Sequence, residues 1–248
     1  MLLYAVGGAS VFLLSGIMAM AGLGAAFLFV PLFYYLGVPL AQATSTALLL
    51  NAVSLSAATV AYWRGRLIDW RAGIPVLLAA VILAPFGARL TASVDRRVLL
   101  ALFVGFLVFA GAMMLFYRAR AGRRTLGHST EAGVGAGVGG VAGFLGGLLG
   151  VGGGNIILPG LTWLGLDAKT AAGTTALAVV FSSLSGFLGH VALGGLDPAF
   201  VASMAVLAAA GSLVGSHLMR TRLSSAQLKR IIGVLLWVLA LKMALDLL

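Results

Sequence analysis

The sequence predicts an all-α polytopic membrane protein made of two inverted repeats. Each repeat has about five membrane segments, including a short broken or re-entrant half-helix. Three observations predict this. Of 248 residues, 61% are hydrophobic and only 9% are Asp, Glu, Lys or Arg, against about 25% charged residues in a soluble domain. The apolar residues fall in runs long enough to cross a bilayer core about 30 Å thick. The first half of the chain also maps onto the second at a constant offset. Disorder is excluded, because it needs low hydrophobicity and high charge. With no Cys, the chain has no disulfide, thiolate catalysis, thiolate metal site or lipidated Cys.

Full-length apolar runs lie at about 2–21, 41–63, 72–91, 97–117, 131–151, 170–191, 198–218 and 227–248. The first has no basic leader and no small-residue cleavage site before a polar mature chain, so it reads as a retained span rather than a signal peptide. Two shorter stretches, 25–38 and 154–166, follow Gly-rich turns and are too short to cross upright. Non-helical backbone at membrane depth is tolerated only inside protein or beside a polar cavity, so each break marks a place to look for a site.

Charge placement sets the topology. If each short stretch reverses the chain, the turns near 64–71, 118–130, 167–169 and 219–230 share one side, which then carries 12 of the 16 Lys and Arg residues. The other side holds Arg89, Arg96, Arg97 and Lys242. Four spans per half would divide the basic loops almost evenly. The positive-inside rule therefore favours five segments per half, with both termini outside. The net charge of +10 is read as this topological signal and not as a nucleic-acid surface.

The halves align without a gap: residues 16–105 fall on 144–233 at an offset of 128, with 15 identities in 90. Composition alone would give about ten, so the weight rests on the rarer pairs. These are Gly22/Gly150, Gly24/Gly152, Pro31/Pro159, Gly37/Gly165, Thr46/Thr174, Ser54/Ser182 and Asp69/Asp197. An odd number of segments per repeat turns the second copy upside down, a plan shared by secondary transporters whose substrate binds near the midplane. The organisation is a first repeat at 1–117, a basic cytoplasmic linker at 118–130 and a second repeat at 131–248.

The strongest local signal is the run Gly150-Val151-Gly152-Gly153-Gly154-Asn155-Ile156-Ile157-Leu158-Pro159. Three consecutive glycines make a poor helix interior, at about 1 kcal/mol each relative to Ala. They free the backbone to turn and to expose N–H groups. The half-helix that follows points its positive dipole end at the turn, which makes an anion site. The competing reading is close helix crossing. Gly22-Leu23-Gly24 echoes the run, but Ala25, Ala26 and Phe27 stand where the second copy has Gly153, Gly154 and Asn155. The two tips are therefore chemically unequal.

Hydroxyls and amides cluster in the mated spans that follow the breaks: Gln42, Thr44, Ser45, Thr46, Asn51, Ser54, Ser56 and Thr59 in one, Thr170, Thr174, Thr175, Ser182, Ser183 and Ser185 in the other, with Thr46/Thr174 and Ser54/Ser182 the symmetric members. A Ser or Thr can satisfy itself on the i−4 carbonyl. Asn51 has no such local solution and is the better candidate. No Asp or Glu falls mid-span. His190 and His217 lie near span ends and are expected at the solvated interface, and Arg89 is expected to snorkel. A site with N–H and O–H donors and no buried acid suits an anion better than a cation.

No H-E-x-x-H, G-x-S-x-G or Walker A lysine is present. Gly135-Ala136-Gly137-Val138-Gly139-Gly140 has the glycine spacing of a dinucleotide loop but no strand before it. Gly139, Gly143 and Gly147 read instead as a packing face. The chain is not expected to be an enzyme or to hold a metal or cofactor.

The Gly150–Pro159 run, followed by Gly173-Thr174-Thr175-Ala176-Leu177, Gly194 and Asp197, resembles the second-half signature of the sulfite exporter TauE/SafE family. Ala21-Gly22-Leu23-Gly24, Pro31 and Ala43-Thr44-Ser45-Thr46 resemble its degenerate first-half partner. The resemblance covers most of the chain. It implies transport, usually export, of sulfite or organosulfonates across the bacterial inner membrane. The expected binding set is Gly152, Gly153, Gly154, Asn155, Thr174, Thr175 and Ser182, with Gly22, Gly24, Thr46, Asn51 and Ser54 from the first half. The expected partners are a small anion, the lipid bilayer, a coupling ion (H⁺ or Na⁺) and further copies of the chain, with no nucleic acid. An anion channel and a non-transporting membrane scaffold are the alternatives.

Overall fold

The computed structural model describes residues 2–21, 24–116, 128–191, 198–219 and 225–246. These residues form helices α1 (Leu2–Ala21), α2 (Ala26–Tyr35), α3 (Leu40–Arg64), α4 (Trp70–Leu90), α5 (Arg96–Phe116), α6 (His128–Leu149), α7 (Gly154–Trp163), α8 (Ala168–Val191), α9 (Pro198–Met219) and α10 (Ser225–Leu245). No strand occurs among the described residues. Five helices contain stretches long and apolar enough to cross a membrane, in α3, α4, α5, α6 and α8. The apolar stretches Val6–Met18, Ala26–Tyr35, Pro198–Val214 and Ile232–Leu245 are shorter. The protein is a polytopic membrane protein. Each helix lies within three residues of an expected segment, and α6 starts at His128, inside the stretch 118–130 read as linker.

Three aspartates stand at helix starts. Asp69 caps α4 by accepting from the Arg71 and Ala72 amides at 2.9 and 3.1 Å. Asp167 does the same for α8 from Lys169 and Thr170 at 3.0 and 3.2 Å, and Asp95 accepts from Arg97 at 2.7 Å. Such caps satisfy first-turn amides that have no intrahelical partner. Hydrogen bonding from Thr170 holds the Asp167 carboxyl below its usual range.

Helix pairing repeats under the offset of 128. α4 packs on α6 and α8, while their mates α9, α1 and α3 pack in the same way. The mates α3 and α8 also touch each other, as do α5 and α10. Along α3 and α8, Tyr62 lies at Gly173, Asn51 at Ser183 and Leu48 at Gly186. One number rises as the other falls, so the mates are antiparallel. Along α5 and α10, the Trp237 indole donates to the Val108 carbonyl at 3.1 Å and Leu115 lies at Gly233, again antiparallel. Mates that meet antiparallel are related by a two-fold axis across the helices, which is an inverted repeat. The sense of α8 relative to α3 needs five reversals between them, so the short helix α7 is one of the turning segments.

Close crossings carry the packing. A Cβ on Gly139, Gly143 or Gly147 of α6 would run into the backbone of Val76, Ala80 or Ala84 of α4. This is the small-residue face expected from sequence. Pro85 has no N–H for the Val81 carbonyl one turn back, and the Ser185 hydroxyl of α8 donates to that carbonyl at 2.7 Å. One core cluster gathers around α2 and α5, with Phe27, Phe29, Phe33, Phe103 and Phe106. A second joins α7 and α8 through Ile157, Leu161, Ala176 and Val179.

Candidate functional site

Both tips turn on glycines that hold positive φ at the same repeat position, +76° at Gly24 and +75° at Gly152. L side chains rarely adopt that region. At the second tip Gly153 is also left-handed, at +73°, and directly precedes α7. α6 ends in a 6→1 bond from the Val151 amide to the Gly146 carbonyl at 3.1 Å. The chain therefore stops one helix, turns on glycine and starts another inside protein.

The tips meet at Asn51, the middle of α3. Its Oδ1 accepts from the Ala26 amide at 3.2 Å, capping α2 from a distant element. Its Nδ2 donates to the Ser183 hydroxyl of α8 at 3.0 Å. A Cβ on Gly24 would strike the Asn51 Oδ1, and one on Gly152 would strike the Asn51 Nδ2. Asn51 and Ser183 are fully buried. One amide thus ties both tips and both repeats.

The second tip is left open. In α7 the amide bonds begin at Ile156 and Ile157, both donating to the Gly153 carbonyl at 3.0 and 3.1 Å. The N-cap, Gly153, has no side chain to offer. Asn155, in the first turn, is 2% exposed, and neither its Nδ2 nor its Oδ1 has a partner. A buried amide with both ends unpaired is costly unless something fills the site. Two other expected hydroxyls are also buried without partners, Ser54 Oγ on α3 and Thr175 Oγ1 on α8. No carboxylate belongs to the buried set among the described residues. No group of three His, Cys, Asp or Glu among them is placed to hold a metal.

The remaining expected residues divide. Thr174 accepts from the Asp69 amide at 2.9 Å. It pins α8 to the start of α4, roughly 13 Å along α8 from Ser183 at the usual helical rise. Ser182 donates to the Val179 carbonyl one turn back at 3.3 Å, the local solution open to any serine. Thr46 is buried but lies about 140° round α3 from Asn51 at 3.6 residues per turn. Gly22 lies outside the described residues. Gly24, Gly152, Gly153, Gly154, Asn51 and Asn155 form the two tips.

The structure adds one residue to the expected set and corrects one expectation. Ser183 completes the link between repeats, although the symmetric pair Ser54/Ser182 had pointed to its neighbour. His190 is not a solvated interfacial residue. It is 2% exposed, and its Nε2 lies 2.9 Å from the Gly147 carbonyl. Burial follows from Gly189 beside it, which brings α8 against Ala88 and Pro85 of α4. His217 has no described side chain. Arg89 is exposed.

Antiparallel repeats whose interrupted segments meet inside the protein are the plan of inverted-repeat membrane transport proteins. Residues 8–243 match the model of the sulfite exporter TauE/SafE family, and the chain belongs to that family. It is 27% identical over 213 residues to the probable membrane transporter protein YdhB of Bacillus subtilis, covering 83% of this chain and 86% of that one. It is 32% identical over 94 residues to the probable membrane transporter protein YunE of the same organism, covering 38% of this chain and 34% of that one. No solved structure gives a significant match. The protein is a membrane transporter.

Proposed function

We propose that the protein exports small sulfur-containing anions, sulfite or organosulfonates, across the bacterial inner membrane by alternating access. Both termini lie outside, and residues 118–130 form the cytoplasmic link between repeats 1–117 and 131–248. The observation that carries this reading is the open N-terminus of α7 with the unpartnered amide of Asn155 buried beside it. First-turn amides and the helix dipole favour a negative charge. The Asn155 Nδ2 supplies a further donor to sulfonate oxygens. Each hydrogen bond to a charged partner contributes about 1.5–3 kcal/mol. The absence of a buried acid among the described residues removes the main source of repulsion. Rocking of one repeat against the other about the Asn51–Ser183 contact would open the tip to each side in turn.

A thermal-shift screen of purified protein against sulfite, sulfate, taurine, sulfoacetate and thiosulfate, with and without Na⁺, tests the reading. A ligand that binds only the folded state raises the melting temperature as its concentration passes Kd. The expected result is a saturable rise with sulfite or a sulfonate. No shift with any of the five contradicts the proposal.

A further inference from the structure

His190 is the only ionisable side chain in the buried set among the described residues. A carbonyl can only accept, so the contact of Nε2 with the Gly147 carbonyl at 2.9 Å places a hydrogen on Nε2. In the neutral ring the lone pair is then on Nδ1, and Nδ1 is buried with no partner. The two neighbouring carbonyls with contacts outside their helix already have donors. The Leu148 carbonyl accepts from the Thr91 hydroxyl at 2.9 Å, and the Gly146 carbonyl accepts from the Val151 amide. The ring thus sits on the last turn of α6, where the dipole is negative and favours a cation. α6 brings no charged side chain to this level. α4 brings Thr91 and Arg89, whose side chain is exposed. α8 itself carries Lys169 far away, at its opposite end.

The position relates this ring to the tip. Ser183, Gly186 and His190 fall at i, i+3 and i+7, one face of α8. Ser183 bonds Asn51 at the tip, Gly186 lies against Gly147, and His190 bonds the Gly147 carbonyl. The same glycine turn has the C-terminus of α6 on one side and the open N-terminus of α7 on the other. Each end favours a charge of opposite sign.

We propose that His190 is the residue that carries a coupling proton. Its Nδ1 takes a proton from water on one side of the membrane and returns it on the other as the tip takes up and releases the anion. The inference rests on the transport reading above and adds the coupling ion to it. His190→Gln separates a titrating role from a merely structural one, because a Gln amide can still donate to the Gly147 carbonyl but cannot carry a proton.

The test uses the full-length protein in liposomes with a pH dye inside and the potential clamped by K⁺ and valinomycin. The probe is methanesulfonate, which stays ionised and brings no proton of its own. The wild type is expected to move protons along with labelled methanesulfonate. His190→Gln is expected to keep downhill methanesulfonate flux within about threefold of wild type and to lose at least nine-tenths of the proton movement. Proton movement unchanged in His190→Gln overturns the inference, and so does loss of both fluxes in that variant. Wild-type methanesulfonate flux without protons also overturns it and leaves the transport reading standing. A wild type that moves neither methanesulfonate nor sulfite contradicts the transport reading itself.

Discussion

The two half-helix tips share a backbone and differ in who satisfies it. Gly24 and Gly152 hold the same left-handed turn at the same repeat position. At the first tip the Asn51 side chain caps the Ala26 amide, and Phe27 packs into the core fully buried. At the second tip no side chain caps α7, and Asn155 stands where Phe27 stands in the first. The residue equivalent to Asn51 is Val179, and the residue equivalent to Ser183 is Leu55. One tip is closed by protein. The other keeps its donors free. On the proposed function, one copy of the duplicated fold serves as scaffold and the other as binding site, with the same glycine turn in both.

The largest effect is expected from removing the residue that joins the tips. Asn51→Leu leaves the Ala26 amide and the Ser183 hydroxyl buried without partners. At about 1–3 kcal/mol for each stranded group, a loss of about 2–6 kcal/mol is expected in denaturation in detergent, together with loss of transport. A melting curve that does not move would show that the tips are not held by this amide.

A second experiment rebuilds the first tip in the second copy. The double variant Val179→Asn/Leu55→Ser places an amide and a hydroxyl at the symmetric positions. The new Asn is expected to cap the Gly154 amide as Asn51 caps Ala26. Sulfite affinity is then expected to fall about tenfold, the worth of one competing hydrogen bond to the anion, with the protein still folded. Unchanged affinity would mean that the open amides of α7 do not meet the ligand.

The smallest effect concerns Asp167, which caps α8 where no ligand is proposed. Its carboxyl is held below the ordinary range by hydrogen bonds, chiefly from Thr170. A depressed carboxylate contributes stability above its unfolded pKa and loses it as pH falls through the folded value. Wild type is expected to melt slightly above Asp167→Asn at neutral pH, and the gap is expected to close as pH falls below the usual carboxylate range. Sulfite binding is expected to be the same in both. An Asp167 effect on binding would extend the site well beyond the tip.

Much of this comparison was legible in the sequence. The break at Gly150–Gly154, the echo at Gly22–Gly24 and the inversion all follow from run lengths, charge placement and the gapless offset. The inequality of the tips was visible in Phe27 against Asn155. Which hydroxyl faces which helix was not. Thr46/Thr174 and Ser54/Ser182 stood out as symmetric pairs, yet Thr174 holds the Asp69 amide and Ser182 bonds its own helix. Side-chain phase on a helix apolar on all sides has no polar face to announce it, so only the packing of α3 on α8 selects Ser183. The burial of His190 is hidden in the sequence for a related reason. Its place near a span end suggested solvent, whereas the neighbouring glycine lets α4 cover it.

The central claim is that the buried amide of Asn155 and the open start of α7 hold the anion. Equilibrium binding of radiolabelled sulfite to purified wild type and Asn155→Ala measures this directly. The account predicts saturable binding in the wild type and a fall of about 10–100-fold in Asn155→Ala, the loss of one charge-assisted hydrogen bond. Stability should be nearly unchanged, since the side chain has no protein partner to lose. Equal affinity in the two proteins would contradict the account.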